Sequence, residues 1–105
     1  MRAGKLRHRV TIKKQTDAKD EYGERLDDWV DVATVWAAVE PLRGREFFEA
    51  FRENAEVTTR IRIRYRDDVD RTMIVQHGTT EFEILHIIHP EVRKRELQLM
   101  CKERQ

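Results

Sequence analysis

Ten residues, Val57 to Arg66, alternate without a slip: Val57, Thr59, Ile61, Ile63 and Tyr65 fall on one side, Thr58, Arg60, Arg62, Arg64 and Arg66 on the other. Successive side chains of a strand point to opposite faces, so this period specifies a half-buried β-strand with an apolar face inward and a cationic face outward. Such a strand needs antiparallel partners with matching faces. Val30 to Val39 is rich in β-branched residues, holds neither Pro nor Gly, and ends at Pro41. Leu6 to Lys13 alternates with Leu6, His8, Val10 and Ile12 on one face. Met73 to His77 reads as a short strand, turned by Gly78 and Thr79 into Thr80 to Ile88, where Phe82, Ile84, His86 and Ile88 are expected inward and Glu81 and Glu83 outward. Glu96 to Lys102 closes the set with Leu97, Leu99 and Cys101 on one side. The expected fold is mainly β, a small antiparallel barrel or sandwich of about six strands, since near closure hides the strand edges.

The longest connections fall on either side of the second strand. After it, Glu40 to Arg45 forms a hinge, and Phe47, Phe48 and Phe51 then sit at i, i+1 and i+4, the apolar face of one short helix inserted after that strand. Phe47 and Phe51 are expected to anchor this helix on the barrel. Before it, residues 15–26 have no usable periodicity and read as a long loop, longer than the 2 to 5 residues of a hairpin turn, and loops of that length are more often functional or disordered. Residues 1–105 form a single domain, because 105 residues support one core.

Charge separates the functional classes. Lys and Arg total 21 against 20 Asp and Glu, a net charge of +1, far from the strongly basic balance of a dedicated nucleic-acid binder. Its distribution is uneven: residues 1–14 carry six basic residues and no acid, whereas residues 15–31 carry seven acids against Lys19 and Arg25. Copies of one protein with such surfaces are complementary to each other. Cys101, the single cysteine, excludes an intramolecular disulfide, and no apolar run approaches the roughly 20 residues of a membrane span. A soluble cytosolic product is expected, with no membrane partner.

Arg60, Arg62, Arg64 and Arg66 are the loudest chemical signal, four guanidinium groups about 6.6 to 7 Å apart on one strand face. Such a ladder suits the phosphates of nucleic acid. Pairing with Glu81, Glu83 or Glu96, or simple solvation, fits the near-zero net charge better, and at least two of the four are expected to pair with acids of a neighbouring strand or subunit. His8, His77, His86 and His89 lack metal-ligand spacing, with no CxxC or HxxxH motif beside them. Arg43, Gly44 and Arg45 suit a turn and cap better than an anion site. The acids at Asp20 and Glu21, at Asp27 and Asp28, and at Asp67, Asp68 and Asp70 lie in expected loops without a positioned His, Lys or Ser, so no enzyme is read, and no small-molecule substrate or cofactor. Trp29 and Trp36 bracket the second strand and suit either core or interface anchoring, with the core favoured for Trp36.

Several stretches together resemble a known family: the opening Met1 to Ile12, the loop piece Asp20, Glu21, Tyr22, Gly23 and Glu24, the segment Trp29 to Glu46, the strand end Ile61 to Tyr65, and the closing Arg93 to Cys101. In order and spacing they are similar to the head-tail joining (head closure, or stopper) proteins of tailed bacteriophages and prophages. The resemblance covers nearly the whole chain, and its specificity lies in the sum of the pieces. It implies a small β-barrel with an inserted helix, made in the bacterial host cytoplasm and residing in the virion neck as an oligomeric ring beneath the portal and adaptor. Its partners would be portal or adaptor proteins, tail-completion or tail proteins, and its own copies, with packaged DNA passing through the lumen. Such proteins close the filled capsid, retain its DNA and present a surface for the tail. The loop 15–26 matches the family segment that reaches into the ring or its partners, which makes Asp20, Glu21, Tyr22, Gly23 and Glu24 interaction candidates, and no catalytic or cofactor-binding residue is carried over. Asp67 to Thr72 departs from the family pattern, with three acids where a Pro/Gly-type turn is expected. The alternative class is a small β-barrel that binds nucleic acid through the arginine ladder.

Overall fold

The computed structural model describes residues 6–16, 21–23, 28–42, 44, 57–89 and 95–104. Six strands follow in order: β1 (His8–Gln15), β2 (Trp29–Pro41), β3 (Thr59–Arg64), β4 (Ile74–His77), β5 (Thr80–Ile88) and β6 (Glu96–Glu103). They close into an antiparallel barrel in the order β1-β2-β3-β6-β5-β4, with β4 pairing back to β1. Closure leaves each strand with two neighbours and removes the free edges on which other chains would template. The expected helix, with Phe47, Phe48 and Phe51, lies outside the described residues.

Alternation in the sequence fills the interior. Val10 and Ile12 of β1, Ala37 of β2, Ile61 and Ile63 of β3, Val75 of β4, Phe82 and Ile84 of β5, and Leu97, Leu99 and Cys101 of β6 form one buried cluster with Met73. Burial also pushes the Cys101 thiol up from its ordinary pKa, so it stays protonated and packs as a small hydrophobe. Outside the wall of β5 and β6, Met100 is buried in a second cluster with Leu42 and Val57, which Leu85 and Ile88 join. A backbone hydrogen bond from the Leu42 amide to the Thr58 carbonyl, 3.0 Å, holds the two bracketing residues together.

Two bulges change which residues face inward. Along β5, Ile84 opposes Cys101 but His86 opposes Met100, so Leu85 is one residue too many for the ladder. Every later side chain changes face: His86 is exposed and Ile87 packs on the core, the reverse of simple alternation, while Ile88 joins the outer cluster. In the β1–β2 pair, Ile12 opposes Ala33 and Lys13 opposes Asp31, which makes Val32 the extra residue. His8 shares the parity of Val10 yet is exposed at the start of β1, its ring edge-on to His77 at 4.9 Å.

The turns use the expected chemistry. His77 pairs with Thr80, leaving Gly78 and Thr79 as a two-residue hairpin turn, and Gly78 has φ +61°, the left-handed conformation that primed turns require. The acidic stretch that departs from the family pattern is held by its own acceptors. Asp68 takes two hydrogen bonds from the Arg66 guanidinium, at 2.9 and 2.8 Å, and Asp70 accepts from both the Thr72 amide and hydroxyl. These carboxylates do for the turn what Pro or Gly would otherwise do. The Arg66 hydrogen bond also holds the Asp68 carboxyl below its ordinary pKa.

Candidate functional site

The arginine ladder stands on the outer wall of β3, between β2 and β6. Register decides its partners. Arg60 lies opposite Glu40 of β2, and Arg62 lies opposite Ala38, so both guanidinium groups converge on the Glu40 carboxylate. Arg60 donates to Glu40 Oε1 at 3.0 Å, and Arg62 donates through Nε and Nη2 to both oxygens at 2.9 Å. On its other side Arg62 reaches Glu96 Oε1 at 3.5 Å, and Gln98 donates to Glu96 Oε2 at 3.2 Å. Desolvation alone would raise the Glu40 carboxyl, but the hydrogen bonds and charges of Arg62 and Arg60 outweigh it, and its pKa lies below the ordinary value. The result is a continuous charge-assisted network across three strands, Arg60–Glu40–Arg62–Glu96–Gln98.

At least two of the four arginines therefore pair with acids of neighbouring strands, as expected, though mostly with a different acid. Glu83 does not take part, since β5 is not a neighbour of β3; it pairs instead with Lys102 of β6, 3.6 Å away, and Glu81 lies on the same distant strand. Sequence reasoning missed Glu40, which looked like part of a hinge. Only the β2–β3 register, joined across residues 43–56, sets it beside Arg60. Arg66 serves the following turn, and Arg64 is exposed, with no ion pair among the described residues.

A second surface lies on the β1–β2 wall. Trp36, expected in the core, is 50% exposed. It shares its face with Thr34, which is exposed, whereas Val35 and Ala37 face the core. Thr34 and Glu40 at the same parity were the signal that could have placed it outside. Arg9, its cross-strand neighbour, lays its guanidinium over the indole, 5.0 Å from the ring centre. Beside this pair, Thr11 and Thr34 are hydrogen-bonded hydroxyl to hydroxyl at 3.2 Å.

The same two strands carry the loop. Gln15, expected to begin it, instead ends β1 opposite Trp29, and the neck is closed by a hydrogen bond from the Thr16 amide to the Asp28 carbonyl, 2.8 Å. Of the five loop candidates, Glu21, Tyr22 and Gly23 are described and form an exposed turn, with Gly23 at φ +81° and Tyr22 83% exposed; Asp20 and Glu24 lie outside the described residues. Arg43 and Arg45 lie outside them too. A pocket between Trp29, Arg71, Ile74, Glu83 and Arg104 offers a cationic and aromatic lip, with Arg104 5.0 Å over the Trp29 ring. Among the described residues no three His, Cys, Asp or Glu side chains gather as metal ligands.

The family model for phage head completion proteins matches residues 1–104. The chain is 30% identical over 107 aligned positions to the head completion protein gp7 of Enterobacteria phage HK97, covering 97% of this chain and 96% of that protein. The solution structure of protein SF1141 from Shigella flexneri 2a superposes with a TM-score of 0.78 at 32% identity, covering 98% and 96% of the two chains. A chain from the virion of a native gene transfer agent particle shares the fold, with a TM-score of 0.61 at 18% identity over 94% and 96%.

Proposed function

From the premise that the chain belongs to the phage head completion protein family, with a structural role in the phage head and virion, we propose that it is the head closure component of a head-tail joint. In this reading copies of the chain assemble as a ring beneath the portal or adaptor in the virion neck, after synthesis in the host cytoplasm. The ring holds the packaged DNA and offers the surface to which the tail or a tail-completion protein attaches. The observation that carries the reading is the nearly end-to-end match to HK97 gp7. The geometry is compatible with it in a second way: the barrel interior is filled by apolar side chains and the candidate contact residues lie on its outer walls, where a building block meets other subunits. A phosphate-tracking role for Arg60, Arg62, Arg64 and Arg66 has less support, because three of the four guanidinium groups already face carboxylates of their own chain.

Filled heads made without this protein test the proposal. They are expected to lose DNA and take no tails until purified protein is added back, and native mass measurement should then show a fixed number of copies on each portal. Heads that keep their DNA and join tails without it would refute the closure role.

A further inference from the structure

The second strand starts with a tryptophan that neither the arginine network nor the Trp36 face uses. Trp29 is half-buried and lines a cavity of about 290 Å³ against the β4–β5 ladder. Val75 of β4 points into the interior cluster, so Ile74 beside it points away, yet Ile74 is only 3% exposed. It lies opposite Glu83 of β5, and both line the cavity with Leu85, the residue that the bulge leaves out of its ladder. Trp29 and Arg104 complete it, the guanidinium 5.0 Å from the ring centre. We propose that this cavity takes one large apolar side chain from an extended segment of a partner protein, and that Arg71 and Arg104 at its lip bind an aspartate or glutamate next to that side chain.

The lining charges give the partner its sign. Three charged residues line the cavity, Arg71, Glu83 and Arg104. Glu83 is engaged by Lys102 at 3.6 Å, and Asp70, next to Arg71 in the chain, accepts from the Thr72 amide and hydroxyl. Arg71 and Arg104 are exposed and make no ion pair among the described residues. Around them, Lys13 and Asp31 pair with each other at 4.0 Å, Lys14 is exposed, and Glu81 and Glu103 do not line the cavity. The unmatched charge of the cavity is therefore cationic. Stacking occupies the face of the Arg104 guanidinium and leaves its in-plane N–H donors for a carboxylate. Size and lining decide the rest. The volume falls at the small end of ligand pockets, which run from roughly 300 to 1,000 Å³, and suits a single side chain. Ile74 and Leu85 offer apolar contact and no hydrogen-bonding group to a base edge, and the Glu83 carboxylate disfavours phosphate. A protein segment carrying an apolar side chain beside a carboxylate meets these requirements, whereas a phosphodiester chain does not. The proposal adds the chemistry of one partner contact to the closure reading and rests on it only for the source of the segment, another component of the virion.

The probe is the capped peptide acetyl-Gly-Asp-Leu-Glu-Gly-amide, titrated into the purified chain while the Trp29 indole N–H is followed by NMR, with Trp29→Phe identifying that signal. Saturation with a dissociation constant on the order of 1 mM is expected, while the Trp36 signal stays in place. Replacing the leucine of the peptide by glycine, or its two acids by their amides, should each weaken binding about tenfold or more. Arg71→Glu should do the same, and because Arg71 is exposed in a turn the variant keeps the fold. No movement of the Trp29 signal at several times the expected dissociation constant, or binding that survives both the amide replacement and Arg71→Glu, overturns the proposal. Equal shifts with inorganic phosphate or oligothymidylate would assign the lip to phosphate and refute it. A Trp29 shift that follows chain concentration without peptide would assign the cavity to a second copy, with the same result. Closure is scored separately on filled heads, so heads that hold their DNA without this chain would refute that reading and leave the peptide result standing.

Discussion

Two walls of the same barrel carry aromatic or cationic side chains in alternation, yet they differ in what those side chains already touch. On the β2–β3–β6 wall, Arg60 and Arg62 are held by Glu40 and Glu96, and the side chains of Arg62 and Glu96 are only 18% and 9% exposed. On the β1–β2 wall, Trp36 is half exposed and Arg9 rests on its ring. A row of like charges is conspicuous in a sequence because repulsion makes it costly unless something neutralises it. Where the neutralising groups come from the same chain, the row is structural; a partner is needed only where the chain leaves its side chains facing water. The arginine ladder is thus mostly a staple across three strands, and the less conspicuous tryptophan marks the available surface.

The largest expected effect breaks the staple at its centre. Among the described residues, Arg62→Ala would leave Glu40 with Arg60 alone and the buried Glu96 with Gln98 alone. Removing one partner of a fully buried pair costs about 3 to 5 kcal/mol. Because Glu40 is about a third exposed, solvent offsets part of this, and a loss of about 2 to 4 kcal/mol is expected in urea unfolding. A loss below about 1 kcal/mol would make this wall as solvated as the other and remove the contrast between them. Charge reversal, Arg62→Glu, is expected to cost more than Arg62→Ala, since a glutamate there would face Glu40 and Glu96.

The sequence disclosed the strands because period-two patterning reports the backbone directly; the bounds of β5 and the interior row of β3 and β6 follow from it. What it concealed depends on register. Leu85 and Val32 bulge out of their ladders, and neither bulge has a local signature, so simple alternation puts His86 and Ile88 on a parity that the extra residue in β5 reverses. Glu40 could not be matched to Arg60 and Arg62 without knowing how β2 pairs with β3 across residues 43–56. Trp36 shows a different limit: bulk and apolarity favour burial over the interface alternative, while its parity with exposed Thr34 points outward. The loop candidates are legible as an aperiodic acidic stretch around Tyr22 and through the family resemblance, not from any residue pattern that fixes their contacts.

A smaller effect sharpens the comparison through pH. The folded-state pKa of Glu40 lies below its ordinary value of 4.5. Its contribution is therefore fully present above that ordinary value and is lost as pH falls through the folded value, since the unfolded chain then binds the proton more readily. The stability of the wild type, measured by equilibrium unfolding, is expected to fall progressively below about pH 4.5. In Arg62→Ala part of that slope should vanish, because the hydrogen bonds that depress Glu40 are fewer. An equal slope in both proteins would mean that other carboxylates govern acid unfolding and that the staple is weakly coupled.

The smallest effect falls on Arg64, which belongs to the ladder by sequence and to the exposed wall by environment. It shares a strand face with Arg62, but the β2 residue beyond the Ala37–Ile63 pair is Trp36 rather than another acid, and Arg64 has no ion pair among the described residues. Arg64→Ala is therefore expected to change folding stability by no more than about 0.5 kcal/mol, the usual range for a surface substitution away from special features. Measured beside Arg62→Ala, two residues away and chemically identical, the pair isolates environment from residue type. The same variant should weaken association of copies modestly and less so at high salt, where the loss of one exposed cation is already screened. A stability loss above about 1 kcal/mol would extend the staple to the end of β3 and shrink the exposed wall to Trp36 and Arg9 alone.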